Sequence, residues 1–138
     1  MNDSMNDSAA ILAGFAAGLR SSDSETRTST ASAVLEAAGA AALTIEQGPG
    51  ALAALAAYDN ALEARDLLPF PQEEESEPVA GWDAAATRKL ARLLEVVAVQ
   101  HDAEAQVAAD TNAVYRLSRI SLLARRAGQA LAAAGSAG

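Results

Sequence analysis

Between Asp83 and Gly128 the chain contains neither glycine nor proline, the two residues that most readily end a helix. Apolar residues recur through this stretch every three or four positions, which is the spacing of one face of an α-helix. Val, Ile and Phe never alternate with polar residues over the length of a strand, here or elsewhere in the chain. The sequence therefore predicts an all-α fold, a small helical bundle in which three short helices precede one long C-terminal helix.

The long helix is predicted over residues 83–134, with Asp83 as its N-cap. Unbroken, residues 84–134 would extend roughly 75 Å. Its weak point is residues 100–112, where large apolar side chains almost vanish and Asp110, Thr111 and Asn112 offer a turn that could cap a last helix. We expect the continuous helix in preference to the broken one, because it exposes less backbone.

Three helices are predicted within residues 8–67, after a disordered polar tail over residues 1–7; the first eight residues are the tetrad "MNDS" written twice. The first follows Ser8, the second follows a capping box from Ser22 to Glu25, and "GPG" at 48–50 separates the second from the third. On the third helix Leu52, Leu55, Tyr58 and Leu62 share one face, while Asp59, Glu63 and Asp66 share another, which we expect to be solvated.

The segment "LLPFPQEEESEPVAGW", at 67–82, is predicted to be a crossover over residues 68–82. It contains three of the four prolines and the only tryptophan. We favour an ordered crossover in which Phe70 and Trp82 hold the neighbouring helix ends against the bundle. An extended docking peptide and a flexible linker remain alternatives. Residues 135–138 are predicted to be a second tail.

Alanine supplies 37 of the 138 residues, so the core is predicted to depend on closely approaching helices rather than on bulky side chains. Residues 1–78 carry thirteen acids against three arginines, a net charge of −10, and residues 79–138 carry a net charge of +2. Attraction between the two halves is the favoured reading of this asymmetry, and an anionic partner for the C-terminal arginines is the alternative. No nucleic-acid partner is expected, because an acidic chain with one short basic stripe lacks the usual electrostatic footprint.

No cysteine is present, which excludes disulfides, thiolate metal sites and cysteine nucleophiles. The acidic N-terminus is unlike a signal peptide, and no apolar stretch is long enough to cross a bilayer. A cytoplasmic protein with no membrane partner is therefore expected. The near absence of lysine beside nine arginines indicates a GC-rich, bacterial genome.

Candidate chemistry centres on His101, the only histidine. Glu104 lies three residues on, so the pair could ligate a metal, but di-iron bundles need several more carboxylates and usually two histidines. Phosphotransfer on His101 lacks the nearby lysine and glycine of phosphotransfer bundles. We expect His101 to be a surface residue, the protein to have no cofactor, and no enzymatic activity.

The sequence instead predicts a protein–protein interaction, adaptor or assembly protein that binds a helical partner or a second copy of itself. The predicted partner-binding surface is the stripe along the long helix, with two arginines beside it: Val96, Val99, Ala103, Val107, Val114, Leu117, Ile120, Ala124, Leu131, Arg116 and Arg119. Small, acidic, cysteine-free and helical, the chain is loosely similar to flagellar-type export chaperones, which makes a secretion or assembly chaperone for a helical client the alternative. A metal-dependent bundle enzyme around His101 and Glu104 is the third hypothesis.

Overall fold

The computed structural model describes residues 3–45, 48–68 and 82–137. Every regular element in these ranges is an α-helix, which confirms the all-α prediction. None of these helices is both long enough and apolar enough to cross a membrane. They are α1 (Asp3–Leu19), α2 (Ser24–Leu43), α3 (Ala51–Asp66), α4 (Ala84–Val107) and α5 (Thr111–Ala137).

The ends of the helices differ in places from the sequence prediction. α1 begins at Asp3 rather than after Ser8, because polar residues of modest propensity can still extend a helix that the apolar run behind them has formed. The N-cap of α2 is Asp23 rather than Ser22, and its carboxylate accepts the Thr26 N–H at 3.0 Å. Asp83 caps α4 as predicted, accepting the Ala86 N–H at 2.8 Å.

The predicted continuous C-terminal helix is wrong, because the chain turns between α4 and α5. Ala108 leaves helical geometry, with φ −73° and ψ 137°, and the Asp110 carboxylate accepts the Ala113 N–H at 3.1 Å at the start of α5. The short Asp110 side chain thus supplies the cap that this weak region allowed. α5 folds back on α4, so two helices of 24 and 27 residues replace one that would have extended past the bundle.

Four helices form the corners of an antiparallel bundle, in the cyclic order α2, α3, α5, α4. Contacts at two levels show that α3 and α5 are antiparallel: Gly50, just before α3, lies against Ala134 near the end of α5, and Glu63 near the end of α3 accepts from Arg119 in the first half of α5 at 2.8 Å. Between α2 and α3, Glu36 lies 3.8 Å from Arg65. α1 packs beside α2 and α4. α3 and α4 occupy opposite corners and do not touch each other, so their outer faces point in opposite directions.

The core combines a few large residues with many alanines. Leu35, Leu90, Leu94 and Leu131 are fully buried at its centre. The face that α3 turns to the core consists of alanines: Ala54, Ala57, Ala61 and Ala64. Such short side chains allow close helix approach, as predicted from composition. At Gly50 two backbones lie close together, since an added Cβ would be 2.6 Å from the backbone carbonyl oxygen of Ala134.

Only part of the predicted crossover lies within the described residues. The half-buried Trp82 packs against the core just before the Asp83 cap, as the ordered-crossover hypothesis expects of that ring. Its indole Nε1 is buried and has no hydrogen-bond partner within the described ranges. Phe70, and with it the choice between crossover, docking peptide and linker, lies outside the described residues.

Candidate interaction surface

The outer face of α4 presents an apolar stripe to solvent. Val96 is 38% exposed, Val99 53% and Val107 83%, and Ala103 between them is also exposed. Their spacing of three or four residues places them together on the side of the helix away from the buried leucines. We call these four residues the valine stripe; they are the N-terminal part of the surface predicted from the sequence.

The C-terminal part of the predicted surface lies in the bundle interior or at its edge. Ile120, Ala124 and Leu131 are buried, and their apolar area is covered by the core rather than offered to a partner. Val114 and Leu117 are half-buried. The turn at Ala108–Asp110 explains this division, because it folds α5 back so that its apolar side faces inward.

The two arginines of the predicted surface also differ in their surroundings. Arg116 is exposed, whereas the Arg119 guanidinium donates to the Glu63 carboxylate at 2.8 Å and joins α5 to α3. Glu63 raises the pKa of Arg119 above its usual value, by its hydrogen bond first and by its charge second. Arg119 is therefore already engaged within the chain.

Three exposed cations precede the valine stripe on α4: Arg88, Lys89 and Arg92. Arg88, Arg92 and Val96 follow one another at intervals of four, so the cations and the start of the stripe share one face. Among the residues that the structure describes, none of the three cations forms an ion pair. The outer face of α4 is thus basic in its first half and apolar in its second.

The outer face of α3 is apolar in its first turns and charged in its later turns, the reverse of the outer face of α4. Its first turns expose Leu52, at 82%, and Leu55, at 57%, and its later turns expose Asp59, Glu63 and Asp66. We call these five residues the α3 outer face. The three carboxylates are exposed to solvent as predicted. Leu52 and Leu55 were predicted to lie on a different face, but they are exposed on the same face as the carboxylates. The four buried alanines of α3, which recur at helical spacing, were the sequence signal for the true inward side.

His101 is buried, at 4% exposure, and is not the surface residue expected from its polar neighbours in the sequence. It lies on the inward side of α4 with Leu90, Leu94 and Val97. Its Nδ1 is 2.8 Å from the carbonyl oxygen of Val97, one turn earlier. Within the described ranges no group of three histidine, aspartate or glutamate side chains is placed to hold a metal ion.

A polar contact between α4 and α5 lies beside this histidine. The Arg125 guanidinium donates to Asp102 at 3.2 Å and to Glu95 at 3.4 Å. The pKa of Asp102 is lowered from its usual 3.8, first by the Ser121 hydroxyl; burial opposes this effect, and the hydrogen bond and charge of Arg125 lower the pKa further. The buried Ser121 oxygen has no hydrogen-bond partner among the residues that the structure describes, so it acts on Asp102 as a nearby dipole.

Asp102→Asn is expected to reduce stability at pH 7 by less than about 1 kcal/mol, because the carboxylate is half-exposed and the ion pair is screened by solvent. Because the pKa of Asp102 is lower in the folded state than in the unfolded state, the charged carboxylate stabilises the folded state at any pH above the unfolded-state pKa. This contribution to stability is lost as the pH falls through the folded-state pKa. Urea unfolding from pH 7 to pH 2.5 should therefore show the difference between wild type and variant shrinking below about pH 4. A difference independent of pH would contradict the assignment.

A shallow depression on the first half of α2 is lined by Glu25, Thr26, Ser29 and Thr30. The Thr30 hydroxyl donates to the backbone carbonyl of Thr26 within the helix. Glu25 is the only ionisable residue among the four. General acid–base catalysis needs two groups held in different environments, and the described residues that line this depression include no second one beside Glu25.

No protein-family model, curated protein or solved structure matches this chain. The functional reading therefore depends on the surfaces themselves. Of the eight large apolar residues that the described ranges expose, α4 carries three, all in the valine stripe, and no other helix carries more than two.

Proposed function

We propose that this protein is a non-enzymatic cytoplasmic interaction or assembly module, and that the outer face of α4 binds one helix of another protein molecule. The observation that supports this most is the valine stripe: four exposed apolar residues at helical spacing on one regular helix. Isolated exposed apolar residues are ordinary on protein surfaces, but an aligned set on one helix face is typical of helix-in-groove and helix-pair recognition.

The rigidity of the stripe adds to this argument. α4 is capped by Asp83 at its start and packed along its inner side against α5, with further contacts to α1 and α2. Its outer residues are therefore ordered before a partner arrives, which reduces the entropy lost on binding. The surface is shorter than the sequence alone predicted, because Ile120, Ala124 and Leu131 of α5 are buried in the core.

Val99→Asp is the variant that tests this function. It places a charge at the middle of the stripe, where burial against a partner would be unfavourable, while leaving the exposed helix intact. We expect binding through this face to weaken about tenfold or more. Binding is measured by light scattering of the purified protein and by affinity capture of a partner.

Tyr115→Asp is the matched control, since Tyr115 is 71% exposed on α5 and lies outside the stripe. It should bind as the wild type does, and both variants should unfold at the same temperature. A wild type that remains monomeric and captures no protein in a Val99-dependent manner would refute the proposed function. Capture of a separate helical protein that is later released would favour the chaperone alternative.

A further inference from the structure

We propose that the partner of the valine stripe is a second copy of this chain, which presents the α3 outer face. This inference rests on the proposed function, because it identifies the helix that the same surface binds. Exposed leucines on the first turns of α3 and exposed carboxylates on the later turns are the two features that carry it.

The order of charge along the two helices sets the direction of pairing. α4 runs from cations to valines, and α3 runs from leucines to carboxylates. Antiparallel pairing therefore places leucines against valines and carboxylates against cations. Parallel pairing would place Leu52 near Arg88 and Asp59 near the valines, so that charges would be buried without partners.

The spacing also agrees between the two faces. Leu52 and Asp59 are two helical turns apart on α3, as are Arg92 and Val99 on α4, which corresponds to about 10 Å in each case. When Leu52 packs against Val99 in the antiparallel arrangement, Asp59 comes beside Arg92. The apolar contact and the ion pair can thus form together without bending either helix.

These charged groups are available in the single chain. Arg92 and Asp59 form no ion pair with any residue in the described ranges. Arg92 and Asp59 could therefore pair between two copies without first breaking an ion pair within either chain. Glu63 is held by Arg119, and Asp66 has Arg65 at 3.6 Å, so Asp59 is the acidic group of this face with most freedom to bind a partner.

A symmetric pairing of two α4 stripes is the competing arrangement for a second copy. It would bury valine against valine, but three acids of α4 and of the turn after it already have partners within the chain: Glu95 and Asp102 bind Arg125, and Asp110 caps α5. It would also leave Leu52 and Leu55 exposed on both copies. The α3 outer face sets Leu52 and Leu55 against Val99 and Val96 and sets carboxylates against the cations of α4, and for that reason we favour it.

The positions of the helices determine what such a contact builds. Because α3 and α4 lie at opposite corners, each copy keeps one binding face free after the other is occupied. The contact is therefore head-to-tail, and it leads to open chains or rings rather than to a closed two-fold dimer. A single helix pair is a small interface, so we expect assembly to increase with protein concentration.

The decisive experiment mixes two variants of the full chain, Leu52→Asp and Val99→Asp, each of which disables one face. Sedimentation velocity across a range of concentrations should show the wild type forming species larger than dimers. Each variant alone should remain monomeric, with apparent dissociation constants raised about tenfold or more. The equimolar mixture should form a heterodimer that does not grow, since only one intact interface can form.

Each other outcome contradicts the inference in a distinct way. If Val99→Asp is monomeric while Leu52→Asp assembles as the wild type does, the contact is stripe to stripe. If the wild type is monomeric but captures another protein in a Val99-dependent manner, the self-association is wrong and the proposed function stands. Far-ultraviolet circular dichroism should show native helix content in both variants, because both positions are solvent-exposed.

A charge exchange tests the register independently of the apolar contacts. Asp59→Arg and Arg92→Asp should each weaken self-association, because each sets two like charges opposite one another. Their equimolar mixture should assemble again, as should a single chain that carries both changes, since every contact then joins opposite charges. Failure of both to recover would refute the pairing of Asp59 with Arg92.

Discussion

Leu131→Ala is expected to lower the free energy of unfolding by about 2–5 kcal/mol. Leu131 is fully buried, and much of the core cluster around it is alanine. An alanine side chain has no alternative rotamer with which to fill a cavity, so little of the lost contact can be recovered. We therefore expect a value in the upper part of this range, measured by urea unfolding with Trp82, the only tryptophan, as the fluorescent reporter.

Leu43→Ala is the matched control for this change. Leu43 is 53% exposed at the last residue of α2, so the same substitution should alter stability by no more than about 0.5 kcal/mol. The comparison also tests the placement of Leu131, which the sequence pattern assigned to a partner-binding surface. A loss below about 1 kcal/mol, together with weaker association, would return Leu131 to that surface.

Gly50→Ala is expected to lower the free energy of unfolding by about 1–3 kcal/mol. The new Cβ would lie 2.6 Å from the carbonyl oxygen of Ala134 and 3.2 Å from its carbonyl carbon. Both contacted atoms belong to the backbone of Ala134, so the clash can be relieved only if the start of α3 and the end of α5 move apart. The φ angle of Gly50 is −86°, which any residue adopts, so the expected loss is due to the contact alone.

Gly14→Ala should have the opposite sign. Gly14 is exposed on α1, and a Cβ there would meet nothing within 4 Å. The substitution should therefore stabilise the protein by up to about 1 kcal/mol, through helix propensity. Thermal and urea unfolding of Gly50→Ala and Gly14→Ala measure the two changes in the free energy of unfolding. A neutral or stabilising result for Gly50→Ala would mean that the two helix ends do not approach as closely as described.

Helix type and several helix ends could be predicted from the sequence because they depend on local chemistry. The long run without glycine or proline and the Asp83 cap act within a few residues of one another. The turn at Ala108–Asp110 was harder to predict, because the local sequence was compatible with both a continuous helix and a broken one. Packing of α5 against α4 decides between them, and that is a long-range property.

The candidate surface was predictable only in its N-terminal half for the same reason. Helical spacing groups apolar residues correctly, but it does not say whether solvent or another helix covers them. The valine stripe and Leu131 share the same helical spacing in the sequence. The stripe is exposed and Leu131 is buried because α5 folds back against α4. On α3 the usual assumption that large residues face inward was wrong, because close helix approach favours the alanines there.

The alanine face of α3 restricts how this protein can change over evolution. Any larger residue at Ala54, Ala57, Ala61 or Ala64 would separate two backbones, so substitutions there are confined to residues that are equally small. Variation is then directed to the outer positions of the bundle, where a substitution disturbs little of the core. Since those positions include both proposed binding faces, the specificity of assembly could diverge between related chains while the bundle itself stays constant.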